Sequence, residues 1–295
     1  MATKSAMITI SGRPNVGKST LFNGLVGEKI SIVTNKPQTT RNRITAVLNT
    51  GDTELIFIDT PGYHLPKTKL GKYMVKVVKE SVSDMDVVIL MVEPIANIGT
   101  QEEKLIEMFK KSGSPSVLII NKVDKVNKDE ILEVIDLYSK AHLFEEIIPV
   151  SALTGDGLEH LKNVLKKYAK EGPQLFPDGM VTDQPDRQIV AEILREKLLL
   201  CLDREIPHGT AIEVTRFTER DSGIIDLDVT IYCEKASHKG IIIGKNGAML
   251  KKIGELARND IEEFMGTKVF LQTWVKVKER WRDSDILIRN FGFKE

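Results

Sequence analysis

The sequence predicts an α/β domain with a mainly parallel six-stranded sheet and helices on both faces, followed by a smaller α+β domain. Three observations carry that expectation. The chain has 295 residues, more than one domain usually holds. Short apolar runs alternate with amphipathic stretches through its first half, the pattern of a parallel sheet wrapped by helices. The alternation then breaks at Gly172 to Gln184, where Pro173, Pro177 and two glycines leave no helical face.

Strands are expected at Met7 to Ser11, Ile44 to Leu48, Glu54 to Ile58, Val87 to Val92, Val117 to Ile120 and Ile147 to Val150. Helical periodicity falls at Ser19 to Val26, Leu70 to Val82, Gln101 to Lys111, Glu130 to Lys140 and Gly157 to Ala169. Past the break the order is a helix at Asp186 to Leu202, strands at Ala211 to Phe217 and Ile224 to Cys233, helices at Ser237 to Ile243 and Ala248 to Met265, and a strand at Val269 to Val277. That order cannot continue the first sheet, so the expected division is 1–171, a linker 172–187, and 188–295. Lys+Arg 42 against Asp+Glu 42 leaves the overall charge silent about nucleic acid. Cys201 and Cys233 read as small core residues of a reducing compartment. The apolar runs are too short to span a bilayer and Met1 to Ser11 lacks a signal-peptide core, so a cytoplasmic location is expected, with peripheral attachment to the membrane left open.

Gly12-Arg13-Pro14-Asn15-Val16-Gly17-Lys18-Ser19, followed by Thr20, joins the first strand to the first helix as GxxxxGKS. Such a loop turns backbone N–H groups toward phosphate oxygens at a helix start, with the lysine on the β and γ phosphates and the serine hydroxyl on Mg²⁺. Asp59-Thr60-Pro61-Gly62 ends another strand 40 residues after Ser19. Its carboxylate suits the Mg²⁺ shell through water, and the Gly62 N–H suits a γ-phosphate. Asn121-Lys122-Val123-Asp124 ends the fifth strand, and a carboxylate there accepts N1–H and the amino group of guanine, donors that adenine lacks. GTP is therefore favoured over ATP.

These motifs in this order resemble the translation-factor-like branch of the P-loop GTPases over residues 1 to about 170. The resemblance implies that Ser151-Ala152-Leu153 offers a backbone N–H to the guanine carbonyl. It also implies that Gln38-Thr39-Thr40-Arg41 is switch I, with Thr40, or its neighbour Thr39, ligating Mg²⁺. Ras-type enzymes carry Gln after DxxG, whereas this chain has Tyr63. Relatives with that departure often have Asn at the position of Asn15 and use K⁺ to offset charge between the β and γ phosphates. The expected catalytic set is therefore Asn15, Lys18, Thr40 and Gly62. Arg13, Arg41 and His64 read as solvated loop residues near these motifs, Arg13 also belonging to the phosphate loop itself.

In the second half, Ile243-Gly244-Lys245-Asn246-Gly247 sits between two helices, the second with Leu250, Ile253, Leu256, Ala257, Ile261 and Phe264 on one face. Residues 235 to 258 hold Lys235, Lys239, Lys245, Lys251, Lys252 and Arg258 against Glu255 alone. The order and its GxxG resemble a type II KH domain, whose turn admits a nucleic-acid backbone and whose groove takes unstacked bases. Trp274 and Trp281 are expected in the core. One GTPase domain followed by a KH domain resembles the Era family of bacterial GTPases. That implies slow GTP hydrolysis and binding of single-stranded 16S rRNA near its 3′ end during small-subunit (30S) assembly, with no DNA partner. The competing expectation is a constitutive RNA-binding scaffold whose nucleotide is structural.

Overall fold

The computed structural model describes residues 3–293. It forms two compact units, the first comprising the chain up to Pro66 and Gly71–Asp183, the second Lys67–Leu70 and the chain from Gln184 onward.

The first unit contains β1 (Lys4–Gly12), α1 (Lys18–Val26), β2 (Ile44–Thr50), β3 (Thr53–Asp59), α2 (Lys69–Glu80), β4 (Val87–Val92), α3 (Thr100–Ser112), β5 (Ser116–Ile120), α4 (Lys128–Ala141), β6 (Glu146–Pro149), α5 (Leu158–Lys166) and β7 (Lys170–Glu171). The sheet runs β2-β3-β1-β4-β5-β6, with only β2 antiparallel along that path. Every residue of β4 is buried, as a parallel strand covered on both faces requires. Alternate residues feed two cores: Val87, Ile89 and Met91 pack toward α1 and α5, whereas Val88, Leu90 and Val92 pack toward Phe109 of α3 and Tyr138 of α4. Because β1, β3, β4 and β5 run parallel, their C-terminal ends share one edge. The predicted motifs follow those ends.

Two features differ from the expected elements. The helix expected to reach Ala169 ends at Lys166, and the chain extends into β7 against β1, pairing Lys4 with Glu171. The proline-rich stretch is strapped along the sheet edge. Val47 N–H donates to the Val181 carbonyl (2.8 Å) and Thr182 Oγ1 to the Thr45 carbonyl (2.6 Å). Leu175 and Phe176 N–H both donate to the buried Glu54 carboxylate (2.9 and 3.1 Å).

The second unit contains α6 (Asp186–Cys201), β8 (Ala211–Glu219), β9 (Ile225–Cys233), α7 (Ala236–Ile243), α8 (Ala248–Met265), β10 (Val269–Val277) and α9 (Asp285–Asn290). Its sheet is β10-β9-β8, with β10 parallel and β8 antiparallel to β9. Ile225, Leu227, Val229 and Ile231 alternate onto one face and meet Ile193 and Leu198 of α6 and Ile253, Ala257 and Ile261 of α8. Leu256 and Phe264, expected on that apolar face, are exposed. The tryptophans split: Trp281 is fully buried beside Phe291 and Phe293 with Nε1 donating to the Gly209 carbonyl (2.9 Å), whereas Trp274 is exposed on β10. Strand alternation turns residue 274 away from the helices that cover Val275. Cys233 is buried, Cys201 half-buried, and both are free thiols.

Candidate nucleotide and nucleic-acid sites

The phosphate loop leaves β1 at Gly12 and enters α1 at Lys18. Gly17 holds φ of +105°, and a Cβ there would lie 2.3 Å from Asn121 Nδ2, so both backbone conformation and the neighbouring motif demand glycine. Gly62 is fixed by close approach: its Cβ would meet Pro14 backbone at 2.8 Å. The DTPG and phosphate-loop backbones therefore touch, and Tyr63 N–H donates to the Gly12 carbonyl (3.1 Å).

Lys18 is buried, with Nζ donating to the Arg13 (2.9 Å) and Gly12 (3.2 Å) carbonyls. Burial lowers its pKa to about 8, against the opposing pull of Asp59. Asp59 is equally buried, and burial raises its carboxyl above the ordinary range although Lys18, Ser31, Ser19 and Thr40 all favour the charged form. Asp59 Oδ2 accepts from Ser31 Oγ (2.8 Å), Ser19 Oγ (3.0 Å) and Thr40 Oγ1 (3.2 Å), and the Ser19 and Thr40 hydroxyls lie 3.0 Å apart. Asp59 Oδ1 is buried without a hydrogen-bond partner among the described residues. Hard oxygens converging beside an unsatisfied carboxylate oxygen fit Mg²⁺. Thr39 instead bonds within its own loop, to the Lys36 carbonyl (2.6 Å) and Thr34 (2.7 Å).

At the other end, Asn121 ties three segments together. Its Nδ2 donates to the Val16 carbonyl (2.8 Å), and its Oδ1 accepts from Ala152 N–H (2.9 Å). Of the Ser151-Ala152-Leu153 segment expected to offer an N–H to a base carbonyl, the Ala152 N–H is engaged by Asn121. Lys122 takes φ of +66°, pairs with Glu93, and donates to the Asn15 carbonyl (2.8 Å). Ser151 Oγ donates to Asp124 Oδ1 (2.7 Å), orienting a carboxylate that is otherwise exposed.

One cavity of about 390 Å³ unites these parts. Pro14, Asn15, Gly17, Lys18, Ser19 and Thr20 line it with Thr39, Thr40, Gly62, Asn121, Lys122, Asp124, Ala152 and Leu153. Gly12, Arg13, Val16, Asp59, Thr60, Pro61, Val123 and Ser151 stand behind that lining. Val16 is fully buried in the core, and Thr60 Oγ1 donates to the Ile10 carbonyl (2.9 Å). Arg13 is not a solvated residue, since it pairs with buried Glu102 of α3. Arg41, also expected in solvent, is buried. Tyr63 is buried among Val78, Val88 and Leu90. Asn15 Nδ2 donates to the Asn35 carbonyl (2.8 Å), joining the phosphate loop to the segment before Thr40. Ser31, Glu93 and Glu102 were invisible in the sequence, because a lone serine or glutamate has no pattern that marks it.

In the second unit, Gly244 has φ of +74° and a Cβ there would lie 2.7 Å from Met249, while Asn246 and Gly247 also take positive φ. Lys245, Asn246, Lys251 and Lys252 are exposed, and Ile243 is half-buried. A groove of about 420 Å³ runs from Gly247 between α8 and β10, lined by Leu250, Gly254 and Leu271 with Lys251 and Arg258 at its side. Among the described residues no group of His, Cys, Asp and Glu suits a protein-only metal centre.

The fold and sites define a P-loop GTPase joined to a KH domain. Residues 7–122 match a family model described as 50S ribosome-binding GTPase, and residues 205–282 match the KH domain model. The GTPase Era of Ruminiclostridium cellulolyticum is 52% identical over 294 residues, covering 100% of this chain and 99% of the relative. That of Alkaliphilus metalliredigens is 50% identical over the full length of both. Two solved structures each match with a TM-score of 0.95 at 37% identity, covering 99% of this chain and 100% of theirs. One is Era in complex with MgGDPNP and nucleotides 1506–1542 of 16S ribosomal RNA; the other is a tyrosine-to-alanine variant of Aquifex aeolicus Era bound to GDP·AlF4⁻. The chain belongs to the Era family of GTPases.

Proposed function

We propose that this GTPase acts in small ribosomal subunit assembly in the cytoplasm, binding single-stranded RNA near the 3′ end of 16S rRNA through the Gly244–Gly247 turn and the adjoining groove. The observation that carries this reading is the intact GxxG beside an open groove with exposed Lys245, Lys251 and Lys252. The full-length likeness to an Era bound to that RNA supports it. Ile243, the last residue of α7 before the turn, packs half-buried against the core of the second unit. Crosslinking the protein to total cellular RNA and sequencing the contacts tests it. Enrichment of the 16S rRNA 3′ end is expected, and contacts spread evenly over unrelated RNAs would overturn it.

In hydrolysis, water attacks the γ-phosphorus as the bond to the β–γ bridging oxygen breaks. Lys18 neutralises charge on the β and γ phosphates, and the Gly62 N–H faces the γ-phosphate. Ser19 and Thr40 would hold Mg²⁺ directly and Asp59 through water, and the ion would spread phosphate charge. Asp124 selects guanine, with Leu153 closing the base end. Tyr63 supplies no side-chain amide to a water, so rate depends on stabilising charge rather than on a general base, consistent with a largely dissociative transition state. Asn15, already beside the Asn35 carbonyl, would hold K⁺, which would offset charge developing between the β and γ phosphates. Turnover is expected to be faster in K⁺ than in Na⁺ at equal ionic strength, and equal rates would remove this role. We further propose that GTP orders residues 36–42 and 63–68 and so changes RNA access to the KH domain.

A further inference from the structure

Glu102 belongs to no nucleotide motif, yet it is one of the most deeply buried charges of the first unit, 1% exposed. It sits in the first turn of α3, and its ion-pair partner is Arg13, the second residue of the phosphate loop. Neither of its oxygens has a conventional hydrogen bond to any other group among the described residues. The space around it is full. A Cβ on Gly99 would lie 3.0 Å from Oε2, and the buried phenol of Tyr138 is raised in pKa by burial and by this carboxylate. A buried carboxylate with a single cationic partner holds that partner firmly, since separation would leave an uncompensated charge in low dielectric.

Arg13 holds the loop's lysine in turn, because its backbone carbonyl accepts from Lys18 Nζ at 2.9 Å. Its side chain is committed to Glu102, and it does not line the nucleotide cavity. We infer that Glu102 is a positioning residue for GTP hydrolysis: through Arg13 it fixes the peptide plane on which the Lys18 ammonium is placed before nucleotide arrives. α3 thereby braces the phosphate loop from behind. The inference rests on Lys18 acting on the phosphates, as proposed above. Misplacement of a catalytic group by about 1 Å costs roughly 10²-fold, so a relaxed Arg13 peptide lowers the rate without abolishing it.

The test uses the full chain and four variants, Glu102→Gln, Glu102→Asp, Arg13→Gln and the double Arg13→Gln/Glu102→Gln, with Lys18→Ala as reference. Single-turnover hydrolysis, GDP affinity and thermal midpoint are measured for each. Glu102→Gln is expected to lower kcat about tenfold with a smaller change in GDP affinity. The double variant should be no slower than the slower single, as coupled partners require. Glu102→Asp keeps the charge but opens a methylene-sized gap, so it should lose stability like the Gln variant while retaining most of the rate. A Glu102→Gln protein that loses stability but keeps kcat would overturn the inference, as would single effects that multiply in the double variant. If Lys18→Ala itself retained full activity, the underlying reading of Lys18 would fail instead.

Discussion

The phosphate cavity and the GxxG groove are both built on glycines, but they are held differently. Around the cavity, Asn121, Lys122 and Asp59 each bond to other segments and Lys18 bonds back across its own loop, and two of these are buried charges. Burial penalises the ionised forms of both Lys18 and Asp59, a cost that a phosphate group and Mg²⁺ would offset on binding. Among the described residues the groove shows no comparable web: its turn is set by positive φ at Gly244, Asn246 and Gly247, and its cations are exposed. A cross-tied, charge-loaded pocket suits a compact polyanion of fixed geometry. An open turn with solvated lysines suits a flexible strand whose backbone must approach and leave.

If that contrast holds, changing one region should spare the other. The largest effect is expected from Gly244→Asp combined with Gly247→Asp, which places side chains at positive φ and negative charge at the turn. RNA binding in gel-shift titrations should fall to background while GDP affinity stays unchanged. Loss of both would mean misfolding and would break the comparison. Next comes Lys18→Ala, for which hydrolysis should slow by roughly 10²- to 10³-fold, the scale of removing one preorganised charge-stabilising group. RNA affinity in the GDP state should hold. The effect confined to stability, with none expected on the nucleotide cavity, belongs to Trp281→Ala. Emptying that buried site and its Nε1 bond to Gly209 should cost about 3–5 kcal/mol. Amide hydrogen exchange should rise through β8 to α9 and leave β1 to β6 protected.

The same contrast explains what could be read from the chain alone. Phosphate-loop, DTPG and NKVD residues are recognisable because their chemistry fixes residue type and spacing together; in the structure Lys18, Ser19, Gly62, Asn121 and Asp124 line one cavity. The family resemblance puts Thr40 ahead of Thr39 with Thr39 as a possible substitute, and of the two threonines it is Thr40 that reaches Ser19 and Asp59. Arg41 read as solvated because charge predicts exposure on average. The same blindness hid Glu54, whose buried carboxylate straps residues 175 and 176 to the sheet, and Glu102 behind Arg13. Long-range pairing leaves no periodic trace. β7 and α9 escaped for another reason: two and six residues are too few for a hydrophobic period to emerge. Trp274 and Trp281 show the limit of composition, because neighbouring tryptophans went to opposite sides of the surface.

The proposed coupling has the nucleotide in the phosphate cavity govern RNA binding at the open groove. It is tested most directly by measuring the affinity of the intact protein for an RNA of the 16S 3′ end in saturating GDP and in a non-hydrolysable GTP analogue, each with Mg²⁺. Coupled sites typically differ by about 5- to 150-fold, and at least the lower figure is expected, with the GTP analogue giving the tighter binding. Equal affinities in the two states, for free RNA and for small subunits alike, would contradict the account.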